Sequence, residues 1–252
     1  MNGLSDHDRE IVETAKASAK SIRNTIASEL LSCPDGDGDD PPLTIFMAGA
    51  PGAGKTEASK EIASQFNILR VDPDDFRSNL PGYDGSNSRL FQGGVSLIVE
   101  RVFDRLVRSR KSFLLDGTSA NLKKVRSNIQ RALQKGRLVR LWYVYQDPLT
   151  SWEFVQAREI VEGRGIPLES FIDQYFSSRL VVNEMKKEFG DDLSIDVLVK
   201  DFTDPDPEFH EDVASVDCIC PTSRTREDLA RALAARSKPD DTEQGNEDSR
   251  SS

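Results

Sequence analysis

Residues Gly49, Ala50, Pro51, Gly52, Ala53, Gly54, Lys55 and Thr56 spell a complete G-x-x-x-x-G-K-T run. A loop of this composition turns its backbone N–H groups inward, with dihedrals and close approaches that a Cβ would obstruct, and so cradles phosphate oxygens. Lys55 is placed to neutralise β and γ phosphates, and Thr56 to offer its hydroxyl to Mg²⁺. The apolar run LTIFMA just before it reads as a strand, and the residues after it as a helix whose positive end adds to the cradle.

Acids and bases follow in the order that phosphoryl transfer needs. Asp72-Pro73-Asp74-Asp75 closes a second apolar run, and a carboxylate there can accept the proton of an attacking hydroxyl; Asp74 is the candidate base. Asp116 ends a third run, FLLDGT, where Mg²⁺, its waters or a substrate hydroxyl could be held. Arg158 and Arg164, the latter between Gly163 and Gly165, offer mobile positive charge for the γ-phosphate. Glu100 reads, on its own, as a solvated helical residue.

These residues need a sheet to carry them. Short apolar runs at 43–48, 68–71, 112–116, 138–145 and 195–200 alternate with helical periodicity at 55–66, 89–108, 122–133, 149–162 and 168–189. That alternation predicts an α/β fold: a P-loop kinase with a mostly parallel sheet of five or more strands and helices on both faces. The strand carboxyl ends then form one ligand crevice. A last helix is expected at 227–235, with Thr225 and Asp228 as a weak capping box. Upstream, apolar residues from Leu4 to Leu30 recur three or four apart, which predicts a helical segment over 1–32 with Ser5 as its cap.

The chain has 252 residues and a formal net charge of −10. Asp35, Asp37, Asp39 and Asp40 fall within 33–42, and five acids against two bases fall within the last fifteen residues. The acidity therefore belongs to a flexible spacer at 33–42 and a disordered tail at 238–252, flanking a kinase domain at 43–237. The spacer is no calcium loop, because Asp40 stands where glycine and Phe46 where the bidentate glutamate should be. Nothing basic suggests nucleic acid; the dense run of Lys123, Lys124, Arg126, Arg131, Lys135 and Arg137 reads as a solvated helix face. No leader and no run of 18 apolar residues is present, which predicts a cytoplasmic protein without a membrane span. The guanine-specifying Asn-Lys-x-Asp of GTPases is absent, and small-molecule kinases are the P-loop class that fits a core of this size.

Taken in order, GAPGAGKT, VDPDDF, LLDGTS and the arginine pair ending in RGIP resemble the zeta toxin family of bacterial toxin–antitoxin systems, which are P-loop kinases. The resemblance spans residues 43–202. It implies that ATP or GTP with Mg²⁺ phosphorylates the 3′-hydroxyl on the amino sugar of UDP-N-acetylglucosamine, which blocks peptidoglycan synthesis. It makes Asp74 the base, Lys55 and Thr56 the phosphate and metal groups, and Arg158 and Arg164 the charge stabilisers. Glu100, Asp116 and Thr118 become substrate contacts. Many relatives carry a histidine where Arg164 stands and an arginine run where this chain has Asp173-Gln174-Tyr175. The resemblance also implies an inhibitor, either a separate antitoxin or the chain's own N-terminal helix acting in cis; the alternative is a helix that covers the sheet. Two other functions compete: a P-loop kinase of an antibiotic, a nucleoside or a polynucleotide end, and a non-catalytic nucleotide-binding module.

Overall fold

The structure, a computed structural model, describes residues 4–38, 40–117, 119–163, 165–201, 207–220 and 224–236. The expected tail at 238–252 lies outside them. Among the described residues, six strands form one sheet: β1 (Leu43–Ala48), β2 (Leu69–Val71), β3 (Phe113–Leu115), β4 (Leu138–Gln146), β5 (Ser194–Lys200) and β6 (Glu208–His210). The described α-helices are α1 (Asp6–Ser32), α2 (Lys55–Phe66), α3 (Ser88–Val107), α4 (Leu122–Leu133), α5 (Pro148–Glu162), α6 (Leu168–Phe189), α7 (Val216–Ile219) and α8 (Arg226–Arg236). The strand order is β2-β3-β1-β4-β5-β6, parallel throughout except for the antiparallel β6. β1 pairs with β3 on one side and β4 on the other, so the chain changes direction across the sheet at its carboxyl end. That switch point is where open α/β sheets leave a ligand crevice.

Alternation along β1 builds the two apolar layers. Phe46 and Ala48 face a core shared with α1, α3 and α4, whereas Ile45 and Met47 face a second core closed by α2, α5 and α8. Helix α6 serves both, with Phe171 and Ile172 in the second core and Val181, Val182 and Met185 in the first. With both faces covered, a near-continuous apolar strand such as LTIFMA is what the sheet requires.

The N-terminal segment forms the expected helix, and Ser5 caps it: its Oγ accepts the Asp8 amide at 3.0 Å. Helix α1 packs along α3 in the same direction. Asp8 meets Arg89 near both N-termini, and farther along Arg101 Nε donates to Asn24 at 2.7 Å. Ala15 and Ala19 are fully buried against it. The approach is close because α3 carries glycine there: a Cβ on Gly94 would stand 3.0 Å from the Ala15 carbonyl oxygen and 3.1 Å from Leu80. Gly94→Val should therefore push α1 outward and destabilise the protein by about 1–3 kcal/mol, as overpacking does. Gly93→Ala should cost far less, because there the Cβ would meet only the flexible Lys16 side chain. Thermal melts of the two variants test this, and equal midpoints would refute the packing argument.

One expectation, the solvated reading of Arg137, is corrected, and the stretch 33–42 makes contacts that its composition does not announce. The stretch read as a flexible spacer is stitched to the sheet's amino edge: Gly36 donates to Asn67 O at 3.0 Å and accepts from the Ser112 amide at 2.6 Å. The buried Lys111 ammonium donates to the Cys33 carbonyl and to Asp37 Oδ1, the latter at 2.8 Å. Asp37 is thus paired with a cation far away in sequence. Arg137, counted among a solvated basic face, is 3% exposed. Its guanidinium donates to Thr44 Oγ1 at 2.6 Å, to the Ser109 carbonyl at 2.9 Å and to the Leu43 carbonyl at 3.0 Å, and lies over the Phe113 ring. Burial, with the nearby Arg110 charge, pushes its pKa down to about 10. Lys123, Lys124 and Lys135 are exposed as expected.

Candidate active site

The loop 49–56 leaves β1 at the switch point and runs into α2. Gly49 and Gly52 have φ of +137° and +74°, a region that disfavours side chains. Space forbids them as well. A Cβ on Gly49 would lie 2.4 Å from the Val144 carbonyl oxygen, and one on Gly52 2.1 Å from that of Ser151. The loop is thus wedged against the end of β4 and the first turn of α5. On its far side Lys200, the last residue of β5, donates to Gly54 O at 3.0 Å.

Lys55 folds back over this loop, its Nζ donating to Ala50 O at 2.6 Å and Gly49 O at 3.1 Å. Burial pushes its pKa down to about 8; Asp116 acts against that shift and Arg158 with it. Arg158, on the exposed side of α5, is therefore within electrostatic reach of Lys55.

β2 runs directly into a 3-10 turn, Pro73–Asn79, that carries the acids. Asp72 caps it, its Oδ1 accepting the Asp74 amide at 2.8 Å, and Phe76 anchors it in the first core. Asp74 Oδ1 lies 2.5 Å from Arg77 Nη1, and its side chain stays 40% exposed. Asp116, just past β3, is 6% exposed; its Oδ2 accepts from Ser59 Oγ at 2.7 Å and from Arg70 Nη2 at 2.8 Å. The same Nη2 reaches Asp72 Oδ2 at 2.5 Å.

The predicted residues therefore separate into groups. The loop 49–56, Asp74, Asp116 and Arg158 come to the carboxyl edge of the sheet. Glu100 does not: it stands in the second half of α3 and pairs with Arg131 of α4 at 2.6 Å. Thr118 and Arg164 lie outside the described residues. Among the described residues no cluster of three or more His, Cys, Asp and Glu is placed to hold a metal, and no helix is long and apolar enough to cross a membrane.

The family model for zeta toxin matches residues 29–208. This chain belongs to the zeta toxin family. Among solved structures, the PezAT chromosomal toxin–antitoxin system of Streptococcus pneumoniae superposes with a TM-score of 0.62 at 16% identity, over 87% of this chain and 95% of that one. The AvrRxo1-ORF1:AvrRxo1-ORF2 complex with sulphate ions gives 0.54 at 19% identity, over 83% of this chain and 68% of that one. The same complex with ATP gives 0.52 at 18% identity, over 81% and 64%. At these identities the likeness is one of fold. No curated protein matches this zeta toxin.

Three residues that bond to the candidate site escaped the sequence reading: Ser59, Arg70 and Lys200. Arg70 was detectable in principle, because residues two apart on a strand share a face and so Arg70 and Asp72 had to stand together. Ser59, one turn beyond Thr56 on α2, gives no local sign that it meets an acid on another strand.

Proposed function

We propose that this zeta toxin is a kinase that moves the γ-phosphoryl group of ATP or GTP onto the 3′-hydroxyl on the amino sugar of UDP-N-acetylglucosamine. The observation that carries the reading is the hydrogen-bonded path from α2 through Ser59 to Asp116, Arg70 and Asp72, which ties the phosphate loop to both acidic strand ends. Asp74, paired with Arg77, accepts the proton of the attacking hydroxyl. Lys55 and Arg158, joined by Arg164, balance charge on the phosphates as the bond to the leaving oxygen breaks. The Thr56 hydroxyl is a hard oxygen donor that would suit Mg²⁺. Held there, such an ion would supply charge neutralisation to the nucleotide's phosphates.

Asp116 and Thr118 are the proposed acceptor contacts, and Glu100 joins them only by leaving Arg131. For inhibition, a separate antitoxin is the reading preferred here, since α1 is already engaged along α3 with Ala15 and Ala19 buried. The reading is tested by incubating the protein with Mg²⁺-ATP and UDP-N-acetylglucosamine and weighing the sugar nucleotide by mass spectrometry. A gain of one phosphate is expected; an unchanged mass with nucleotide still bound would refute this acceptor. A second reading, a different small hydroxyl acceptor, draws on one feature: Asp173-Gln174-Tyr175 stands where the family resemblance implies an arginine run, and Asp173 is engaged by Arg226 of α8. An antibiotic and nucleoside panel is the matching screen.

The depressed Lys55 pKa makes a further prediction. Below about pH 8 the ammonium is protonated and attracts phosphate; above it, the free protein must first take up a proton. Nucleotide affinity should hold from pH 6 to 8 and then weaken by up to about tenfold per pH unit. Titration calorimetry at pH 7 and pH 9 reads this directly, and equal affinities would show that Lys55 stays charged.

A further inference from the structure

Arg70 has no step of its own in the proposed chemistry, yet it bonds Ser59, Asp72 and Asp116 at once. The parallel register of β2 and β3 pairs Arg70 with Leu114 and Val71 with Leu115. One step further along, the same spacing sets Asp72 beside Asp116. Two carboxylates thereby leave adjacent strands at the same level, with side chains only 14% and 7% exposed. Unassisted, such a pair repels and turns apart.

The Arg70 side chain, 15% exposed, prevents this. Its Nη2 stands between Asp72 Oδ2 and Asp116 Oδ2. Its Nε donates to Ser59 Oγ at 2.7 Å, and that hydroxyl donates to Asp116. With Oδ2 so held, Asp72 presents Oδ1 to the Asp74 amide. The chain of contacts starts on the helix behind the phosphate loop and ends at the backbone of Asp74. A planar guanidinium can bond three partners in fixed directions, which an ammonium on a flexible stem cannot do.

We infer that Arg70 is the positioning residue of this site, fixing Asp74 relative to the phosphate-loop helix through Asp72, Asp116 and Ser59. The inference rests on the kinase reading for its effect on rate, though not for its effect on the turn. Misplacing a reacting group by about 1 Å can cost on the order of a hundredfold in rate. Arg70→Lys keeps the charge and loses the fork; Arg70→Gln loses both.

Two measurements on the full chain test the inference. Hydrogen exchange at the Asp74 amide should quicken at least tenfold in both variants, while core amides of β1 stay protected. Phosphoryl transfer, assayed well below each variant's melting point, should show kcat reduced by about 10–100-fold with the nucleotide KM within threefold of wild type. A purely structural role would lower the melting point and leave kcat of the folded protein unchanged. Unchanged exchange at Asp74, or unchanged kcat in a folded variant, overturns the inference; Arg70→Lys supplies the result if Arg70→Gln does not fold. Quickened exchange in a protein that phosphorylates no acceptor would instead leave Arg70 as the organiser of the turn and refute the kinase reading.

Discussion

Replacement of Asp74 by Asn should lower phosphoryl transfer by about 10²–10⁴-fold, the usual span for loss of a positioned base, while nucleotide affinity stays within threefold. The substitution is nearly isosteric. The contact that orders the turn is made by the Asp74 backbone amide to Asp72, and Asn keeps that amide. What is lost is an acceptor for the hydroxyl proton and the charge that meets Arg77 at 2.5 Å. Phe76 still anchors the turn in the core, so the melting point should move little. Single-turnover assays with a fluorescent nucleotide separate binding from chemistry. A variant that transfers phosphate at near wild-type rate would place the base elsewhere.

Gly52→Val should act on the opposite quantity, weakening nucleotide affinity by about 10–100-fold, which corresponds to roughly 1–3 kcal/mol of backbone strain. Two obstacles coincide at this position. The backbone sits at φ +74°, where a β-branched residue is strained, and the new Cβ would stand 2.1 Å from the Ser151 carbonyl oxygen. Ser151 cannot give way cheaply: its amide is tied to Asp147 O at 2.8 Å in the first turn of α5, and its side chain is fully buried. The loop must lift from α5, which spoils the cradle while both apolar cores persist. Circular dichroism should match wild type, and calorimetry should show the weaker binding. Wild-type affinity in this variant would mean that the loop tolerates another path.

Parts of the molecule that rest on local pattern were legible in the sequence. Strand β1 and helices α4 and α6 have the bounds that their apolar periodicity predicts, because each buries a face that its own residues define. The phosphate loop was legible for the same reason: glycine, lysine and threonine act within eight consecutive positions. Features that depend on distant partners were not. Strand β6 has one large apolar residue, Phe209, and joins the sheet by stacking it on Trp142, with ring centroids 4.9 Å apart, while Arg140 reaches Glu211 at 2.7 Å. Nothing in 208–210 announces those contacts. Arg137 reads as a surface cation until the carbonyls that surround it are seen, and only strand register places Asp116 beside Asp72 for Arg70 to bridge. At the site, the residues that meet phosphate announce themselves, whereas those that aim them are set by strand pairing.

The parallel pairing of α1 with α3 has a consequence for biosynthesis. A nascent chain emerges N-terminal end first, so α1 leaves the ribosome before any residue of α3, its main partner among the described residues, has been joined. β1, the phosphate loop, α2 and β2 must follow before Gly94 exists to receive Ala15. Throughout that interval the stripe of Ala15, Ala19, Ile26 and Ala27 faces solvent or a chaperone, and the long loop it must close slows its docking. A segment translated well before its partner is thus among the last to find its place, and the delay is written into the order in which the two helices occur.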